Sequence, residues 1–363
     1  MSERLRVSTP GRVCLFGEHQ DYLALPVVPC AISRRIVIEG SRRRDLTVHI
    51  HLPDIQSSES FLLEDPLPYI RERDYFRSCI NVMRRRGFSF SGGFDCEVRS
   101  RIPINAGTSS SSALIVTWVN FLARMSDQSR VLTGEEVARL AHEAEVVEFG
   151  EPGGMMDHYS TACGGIIAID FQPAIKVTPL KAILKTFVLG DSGEPKDTKS
   201  ILARVKNRVL DIQRRLAERH PGFSLLQESV QGLDRFSAEL DGEQMALLRG
   251  TVHNHELTKQ ARGELGGDTL DHRRIGSLLN EHQSVLRDIL RISTPKIDRM
   301  IDGALSSGAY GAKINGSGGG GCMFAYAPEN AERVAEAIER EGGRAYIVLP
   351  DEGTRIEQPG VSE

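Results

Sequence analysis

The sequence predicts a two-domain protein of the α+β class, and its length and two regional patterns support that prediction. The 363 residues exceed the ~100–200 residues of a usual single domain. The first hundred residues contain mainly short alternating or β-branched apolar runs, which are typical of strands joined by polar turns. Helical patterns follow, and the second half mixes helices with strands. We predict one domain over 1–180 and a second over 181–363.

The N-terminal half supplies the first elements. Three apolar runs, over 35–39, 46–51 and 93–98, predict strands. A helix is predicted after Thr133, because Thr133 and Glu136 have the spacing of a capping box. Apolar residues then recur at helical intervals until the helix stops near 150.

The C-terminal half supplies the remaining elements. Amphipathic periodicity predicts helices over 197–215 and 275–290. A strand ends at 326, a helix covers 331–341, and 344–349 is predicted as the last strand, followed by a frayed tail.

Composition and charge limit the class of protein. The chain is 40% apolar and 26% charged, as in an ordinary globular protein. Its net charge of -4 gives no overall attraction to nucleic acid, and we interpret the basic runs 42–44 and 84–86 as solvated faces rather than phosphate-binding patches. The six cysteines lack C-x-x-C spacing, and neither a signal peptide nor a membrane-spanning run is evident. We expect a cytoplasmic protein without a nucleic-acid or membrane partner, whose oligomeric state the sequence leaves open.

A serine-rich junction between a predicted strand and a predicted helix suits phosphate. The segment 103–112 reads PINAGTSSSS, and an apolar helical pattern begins around Ser112. Gly107 permits a tight turn, while free N–H groups and the hydroxyls of 109–112 offer donors to anionic oxygens. One hydroxyl could also ligate Mg²⁺. The alternative is a serine-rich turn that only caps the helix, and the segment lacks the Gly-Lys-Ser/Thr of a Walker A loop.

A second glycine-rich segment, 316–321, has five glycines in six positions. Such a segment is costly to order and is typical of sites where the backbone approaches another group closely. It also satisfies the weak G-x-G-x-x-G pattern. A flexible hinge is the alternative.

Two acidic segments could contact substrate or metal. An apolar strand ends at Gly17 and is followed by Glu18, His19 and Asp21, a set that fits a polyol or, alternatively, a solvated charged turn. Glu145 and Glu148 continue the apolar face of the helix after Thr133, and a carboxylate there needs a metal, a basic partner or a solvated helix end, which makes Glu145 a candidate Mg²⁺ ligand. A single carboxylate, at 157, follows a glycine turn just beyond that helix.

Taken in order, the segments 10–19, 107–112 and 313–322 resemble the three signatures of GHMP kinases, and the resemblance spans nearly the whole chain. It implies an N-terminal α+β domain with a ribosomal-protein-like fold and a C-terminal ferredoxin-like domain on either side of a nucleotide cleft. It also implies ATP as co-substrate and Mg²⁺ as cofactor.

The resemblance carries roles over to matching positions. Asp157 takes the place of the catalytic aspartate, Arg12 that of the basic residue beside it, and Ser111 and Glu145 those of the Mg²⁺ ligands. The positions implied to bind ATP are Gly107, Thr108, Ser109, Ser110, Ser111, Ser112, Gly318 and Gly319. Those implied to bind the acceptor are Glu18, His19, Asp21 and Gly154.

Within the family, the segment 17–22 is similar to the galactokinase signature, which implies anomeric (C1) phosphorylation of galactose or a related sugar. Cys14, Gln20, Thr108 and His158 depart from galactokinases. The segments 190–199 and 311–316 are more similar to mevalonate kinases. A kinase of an acidic isoprenoid precursor and a catalytically silent sugar-sensing relative therefore stay as alternatives, although the retained Asp157, Arg12 and Ser111 argue against the silent one.

Overall fold

The structure is a computed structural model that describes residues 4–103, 107–151, 153–195 and 198–357. Residues 104–106 of the predicted phosphate segment and residue 197 of a predicted helix lie outside the described residues. Within the described ranges, no helix combines the length and the apolar character needed to cross a bilayer.

Strands and helices occur in separate groups along the described chain, and the predicted α+β class is confirmed. The strands are β1 (Leu5–Phe16), β2 (Val28–Arg42), β3 (Thr47–Leu52), β4 (Ser57–Leu62), β5 (Phe94–Ser100), β6 (Ile167–Asp170), β7 (Lys176–Pro179), β8 (Phe187–Asp191), β9 (Gly311–Asn315), β10 (Cys322–Tyr326), β11 (Arg344–Val348) and β12 (Arg355–Glu357). The helices are α1 (Tyr75–Arg85), α2 (Ser110–Met125), α3 (Gly134–His142), α4 (Met156–Cys163), α5 (Thr198–Arg219), α6 (Gly242–Gly266), α7 (His272–Ser284), α8 (Pro295–Ser306) and α9 (Ala331–Arg340).

The N-terminal half is built on a six-stranded sheet in the order β12-β1-β2-β5-β3-β4. Its pairs are antiparallel except for β3 with β5, which are parallel. Helices α1 to α4 contribute to the core of this half, in which Trp118 stacks on Phe121 and meets Phe94 edge to face. The alternation of buried and exposed residues along β5 leaves one face for these helices.

The C-terminal half contains a four-stranded antiparallel sheet in the order β11-β8-β10-β9. The chain order β8, helices, β9, β10, α9, β11 is the β-α-β-β-α-β pattern of a ferredoxin-like fold, with the first crossover enlarged to α5–α8. Strands β9 and β10 are buried at every residue.

The second half of β1 lies where the two halves of the molecule meet. Val13, Leu15 and Phe16 are fully buried in a cluster shared with Phe187 of β8 and Phe324 of β10. The polar turn that follows β1 therefore emerges at the junction between the halves.

The last predicted strand is not the last strand. β11 corresponds to that prediction, but β12 follows it and pairs with the start of β1, with Arg6 opposite Glu357. Three residues carry too little periodicity to predict a strand, and the pairing partner lies at the other end of the chain. The division near residue 180 stays a prediction, and β12 places C-terminal residues in the N-terminal sheet.

The helix predicted after Thr133 begins as expected. The Thr133 side chain accepts a hydrogen bond from the Glu136 N–H, and the Glu136 side chain accepts one from the Thr133 N–H, which completes the capping box. The helix then widens into a π-helical turn, Glu143–Val147. This widening shifts the register of the side chains that follow, so Glu148 is half-buried and pairs with Arg85 instead of continuing the apolar face.

Candidate active site

A cavity of about 560 Å³ opens between the turn after β1, the start of α2, the π-helical turn and α4. Residues 316 and 317 of the glycine-rich segment close another side. The predicted site residues that line this cavity are Arg12, Glu18, His19, Asp21, Ser111, Ser112, Glu145, Gly154 and Asp157. The predicted residues that do not line it are Gly107, Thr108, Ser109, Ser110, Gly318 and Gly319.

Arg12 and Asp157 contact each other in the cavity. Arg12 Nε and Nη2 lie 2.8 Å and 2.7 Å from Asp157 Oδ1. Burial by itself would raise the pKa of Asp157, but the charge and hydrogen bonding of Arg12 outweigh it and lower that pKa. Asp157 is therefore a carboxylate at neutral pH, with a guanidinium fixed beside it.

The three polar side chains of the turn after β1 have different hydrogen-bond partners. Gly17 has φ of 90°, and a Cβ there would lie 2.8 Å from Val27 Cα, so the turn requires glycine. Glu18 is buried and accepts hydrogen bonds from Lys313 Nζ and the Gly316 N–H. His19 Nδ1 lies 2.8 Å from Tyr22 Oη, and His19 Nε2 lies 3.0 Å from the Ser317 carbonyl.

Asp21 is the member of this turn that lies against Gly154 in the cavity wall. A Cβ on Gly154 would lie 1.8 Å from Asp21 Oδ2, so glycine at 154 is what leaves room for the carboxylate. Asp21 Oδ1 accepts a hydrogen bond from the Tyr22 N–H at 2.9 Å, whereas Oδ2 accepts none from the described residues. Burial and the charge of Asp157 raise the pKa of Asp21 to about 6.

The serine-rich segment forms the start of α2, two residues before the predicted position. Ser109 has φ of 59°, and its side chain caps no N–H of the helix, so the alternative of a simple serine cap does not describe it. The Gly107 carbonyl accepts hydrogen bonds from Arg12 Nη1 and, at 2.8 Å, from Asn315 Nδ2. The uncapped helix start is the kind of group that binds phosphate oxygens.

Glu145 is buried on the predicted helix face, and His158 relieves the cost of burying it. His158 Nε2 lies 2.7 Å from Glu145 Oε2, and both residues line the cavity. No group of three or more His, Cys, Asp or Glu residues among the described positions could by itself hold a metal ion. A carboxylate and a hydroxyl at one cavity do fit Mg²⁺, which takes few protein ligands and completes its shell with water and substrate phosphates.

The glycine-rich segment packs closely against its neighbours, which argues against a flexible hinge. A Cβ on Gly316 would lie 3.1 Å from Gly107 Cα, and one on Gly318 would lie 2.5 Å from the Ile292 carbonyl. The Gly319 N–H also donates to the Ile292 carbonyl at 2.7 Å. Gly318 and Gly319 thus pack against the Ile292 carbonyl, while Gly316 contacts Gly107 of the serine-rich segment.

Sequence reasoning missed Lys313 and Asn315 as side chains of the site. Both are fully buried on β9, and they contact Glu18 and Gly107 respectively. The available signal was their alternation with the apolar Ala312 and Ile314, which places Lys313 and Asn315 on the same face of one strand. His158 was recognised only as a departure from galactokinases, and its contact with Glu145 required the fold.

Three family models match the chain. "GHMP kinases N terminal domain" matches residues 74–165, "GHMP kinases C terminal" matches 267–345, and "Galactokinase galactose-binding signature" matches 2–42, which together exceed half of the chain. The chain belongs to the GHMP kinase family. It is an ATP-dependent small-molecule kinase with the two-domain fold of that family.

Relatives of this GHMP kinase carry two different names. A mevalonate kinase of Thermococcus gammatolerans is 29% identical over 365 residues, covering 98% of this chain and 99% of that protein. A galactokinase of Mannheimia succiniciproducens is 28% identical over 351 residues, covering 93% and 89% respectively. The crystal structure of Lactococcus lactis galactokinase with galactose superimposes with a TM-score of 0.85 at 22% identity, covering 97% of this chain and 95% of that one. At 22% identity, the likeness to that galactokinase structure shows a shared fold and nothing further.

Proposed function

We propose that this kinase transfers the γ-phosphoryl group of ATP to a sugar hydroxyl, in the manner of a galactokinase acting at the anomeric C1 hydroxyl of galactose or a related sugar. The observation that carries this proposal is Asp21. Its Oδ2 accepts no hydrogen bond from the described residues, and Gly154 leaves space around it. A carboxylate that is partly desolvated gains most from a neutral ligand that donates hydrogen bonds, and a polyol does this.

The charge of the cavity favours a neutral acceptor over an acidic one. Among the described residues, three cationic side chains line it, and each has an acidic counterpart in the same cavity. Arg12 pairs with Asp157, Arg73 pairs with Glu151 through two contacts of 2.7 Å, and the charge of Asp21 acts on Lys206. The carboxylates among the described lining residues are Glu18, which is paired with Lys313, and Asp21, Glu145, Glu151 and Asp157. A carboxylate-bearing acceptor would add a like charge to this set.

A mevalonate-type acceptor is the second candidate, and one specific observation favours it. The mevalonate kinase relative matches nearly the full length of both chains at 29% identity. Relatives of this similarity share the fold and the phosphate-binding segments, whereas the acceptor is selected by a few cavity side chains. The charge of the cavity is therefore our reason to rank the sugar first.

Asp157 and Arg12 would handle the proton in the proposed reaction. Asp157 is ionised at neutral pH, so it can accept the proton of the attacking hydroxyl as the bond to the γ-phosphorus forms and the bond from that phosphorus to the ADP oxygen breaks, which releases ADP. Arg12 would hold this carboxylate in place and limit its rotation through two contacts to one oxygen. Phosphoryl transfer depends mainly on positioning and charge neutralisation, so a base of lowered pKa is sufficient.

The phosphates would lie against the start of α2. The free N–H groups there and the hydroxyls of Ser111 and Ser112 would bind and orient the triphosphate oxygens. Ser111 and Glu145 would hold Mg²⁺, which neutralises phosphate charge when bound. His158 would hold the Glu145 carboxylate through Oε2.

A coupled ADP-release screen tests the proposal. Purified protein with Mg-ATP is offered free hexoses, pentoses, sugar acids, amino sugars and mevalonate at equal concentration. We expect turnover with a neutral sugar and none with mevalonate. If mevalonate is the one acceptor in the screen that gives turnover, the second candidate is established. If no acceptor in the screen gives ADP release, the sugar proposal is contradicted.

A further inference from the structure

Glu18 is one of the residues that the signature assigns to the acceptor, yet both of its carboxylate oxygens are used inside the protein. Its Oε2 accepts from Lys313 Nζ at 2.8 Å, and its Oε1 accepts from the Gly316 N–H at 2.9 Å. The Glu18 residue is only 2% exposed. The strongest contacts of this carboxylate are therefore made inside the protein, with an ammonium group and a backbone donor.

The ammonium group of Lys313 also makes all of its hydrogen bonds inside the protein. Its ammonium group donates to Glu18 Oε2, to the Cys14 carbonyl at 2.9 Å and to the Ile314 carbonyl at 2.7 Å. Three donors meet three acceptors, and the residue is 0% exposed. A buried ion pair of this completeness is strongly destabilised when one partner is removed, because the other charge is left unpaired.

The pair links all three signature segments. Glu18 belongs to the turn after β1, and it holds the N–H of Gly316 at the start of the glycine-rich segment. Gly316 packs on Gly107 of the phosphate segment, where a Cβ would come within 3.1 Å of Gly107 Cα. Asn315 adds a parallel link, since its side chain accepts from the Cys14 N–H and donates to the Gly107 carbonyl.

We propose that Glu18 and Lys313 are positioning residues that hold the glycine-rich segment against the serine-rich segment. The pair acts on the nucleotide side of the cleft although Glu18 lies in the acceptor signature. The inference rests on the kinase reaction proposed above but not on the identity of the acceptor.

Nucleotide affinity without any acceptor gives the decisive measurement. We expect Glu18→Gln to weaken Mg-ADP binding about tenfold in calorimetry, because a glutamine has one acceptor and one donor end and cannot accept from both Lys313 and Gly316. Lys313→Met should have a similar effect. The double variant Glu18→Gln, Lys313→Met should bind no more weakly than either single variant, because the unpaired buried charge is gone.

Two controls separate this role from the others. Asp21→Ala alters a proposed acceptor contact and should leave Mg-ADP affinity within about twofold. Asp351→Asn breaks a comparable pair, Arg35 Nη1 to Asp351 Oδ2 at 2.8 Å, away from the cavity. It should lower the thermal unfolding midpoint without weakening Mg-ADP binding. General destabilisation is thereby distinguished from loss of positioning.

Unchanged Mg-ADP affinity in Glu18→Gln, with an acceptor KM raised about tenfold, would overturn the proposal and make Glu18 an acceptor ligand. Additive losses in the double variant would overturn the coupling. If Lys313→Met does not fold, Glu18→Gln decides alone, since it changes one atom of the side chain. Failure of the acceptor screen is a separate result, because these binding measurements need no acceptor.

Discussion

The role of the negative charge on Asp157, which contacts Arg12, can be tested by one substitution. Asp157→Asn keeps the size of the side chain and one hydrogen-bond acceptor for Arg12, but it removes the ionised oxygen that would take the hydroxyl proton. We expect kcat to fall by about 10³-fold, within the usual range for loss of a general base, while Mg-ADP affinity changes less than about threefold. ADP release and calorimetry measure the two quantities. Turnover within about tenfold of the original would remove Asp157 from the mechanism.

Asp21 should contribute to acceptor binding at a cost in stability. Its pKa in the folded protein is raised to about 6 from the ordinary 3.8, so the folded state binds this proton more tightly than the unfolded state. The ionised side chain therefore lowers the free energy of unfolding at pH above about 6, and this loss disappears as pH falls toward 3.8.

Asp21→Asn should reverse both effects. The neutral amide should raise the free energy of unfolding by about 1 kcal/mol near pH 8, discounted for the solvent in the cavity, and the gain should shrink in acid. The acceptor KM should rise at least about tenfold. Urea unfolding at several pH values and steady-state kinetics measure these changes. An equal gain in stability at every pH would contradict the pKa argument.

The sequence predicted some residues of the site and missed others. Arg12, Asp21 and Asp157 carry charges in short distinctive segments, and the fold brings all three to one cavity. Lys313 also stands in a distinctive segment, but lysine is almost never fully buried, so no sequence pattern predicted that its charge lies inside the protein. Its environment depends on an acceptor set from Cys14, Glu18 and Ile314, and part of that set lies almost three hundred positions away in sequence.

The π-helical turn after α3 is the element that brings Glu145 to α4. A π turn inserts an extra residue and turns the following side chains, and such turns are frequent at functional sites. The 3.6-residue period predicted the face of Glu145 correctly but not that of Glu148. The capping box of α3 was predictable because it is a local pattern, whereas the turn makes tertiary contacts, through Ser78 of α1 with the Ala144 carbonyl and through His158 of α4 with Glu145.

His158 should act on the proposed metal ligand through this element. His158→Phe removes the group that orients Glu145 Oε2 and leaves the carboxylate unpaired. We expect about tenfold weaker binding of Mn²⁺, used as a probe for Mg²⁺, in the presence of ADP. Electron paramagnetic resonance measures the free metal directly.

Thr133→Ala is the matched control for His158→Phe. It removes the capping box at the other end of the same helix and should lower the free energy of unfolding by about 1 kcal/mol. Its Mn²⁺ affinity should not change. Equal Mn²⁺ affinities in His158→Phe and the original protein would show that Glu145 is oriented without the histidine.

At the scale of the whole molecule, the fold brings together segments that are far apart in sequence. Gly107, Glu18 and Gly316 belong to three separate segments, and the junction between the two halves makes them neighbours. The order of the segments along the chain predicted the class of fold. It could not predict that β12 returns to β1, because that pairing joins the two ends of the chain and has no local signature.

Buried histidines at and near this junction should make the whole fold sensitive to acid. His282 is fully buried and stacks on Phe16, and burial together with the charge of Lys313 lowers its pKa well below the ordinary 6.5. Burial lowers the pKa of His255 to about 4. The unfolded chain takes up these protons below about pH 6.5 and the folded chain does not, so the free energy of unfolding decreases as pH falls from 6.5 toward 4.

The histidine variants separate this effect from other titrations. His282→Gln keeps a neutral polar side chain and should reduce the slope of unfolding free energy against pH by up to about 1.4 kcal/mol per pH unit below pH 6. His255→Gln should reduce it further, and Asp21 cannot account for the loss because its raised pKa acts in the opposite direction. Urea unfolding from about pH 8 to about pH 5 measures the slope. An original protein equally stable across that range, or a slope unchanged in both variants, would contradict the assignment to buried neutral imidazoles.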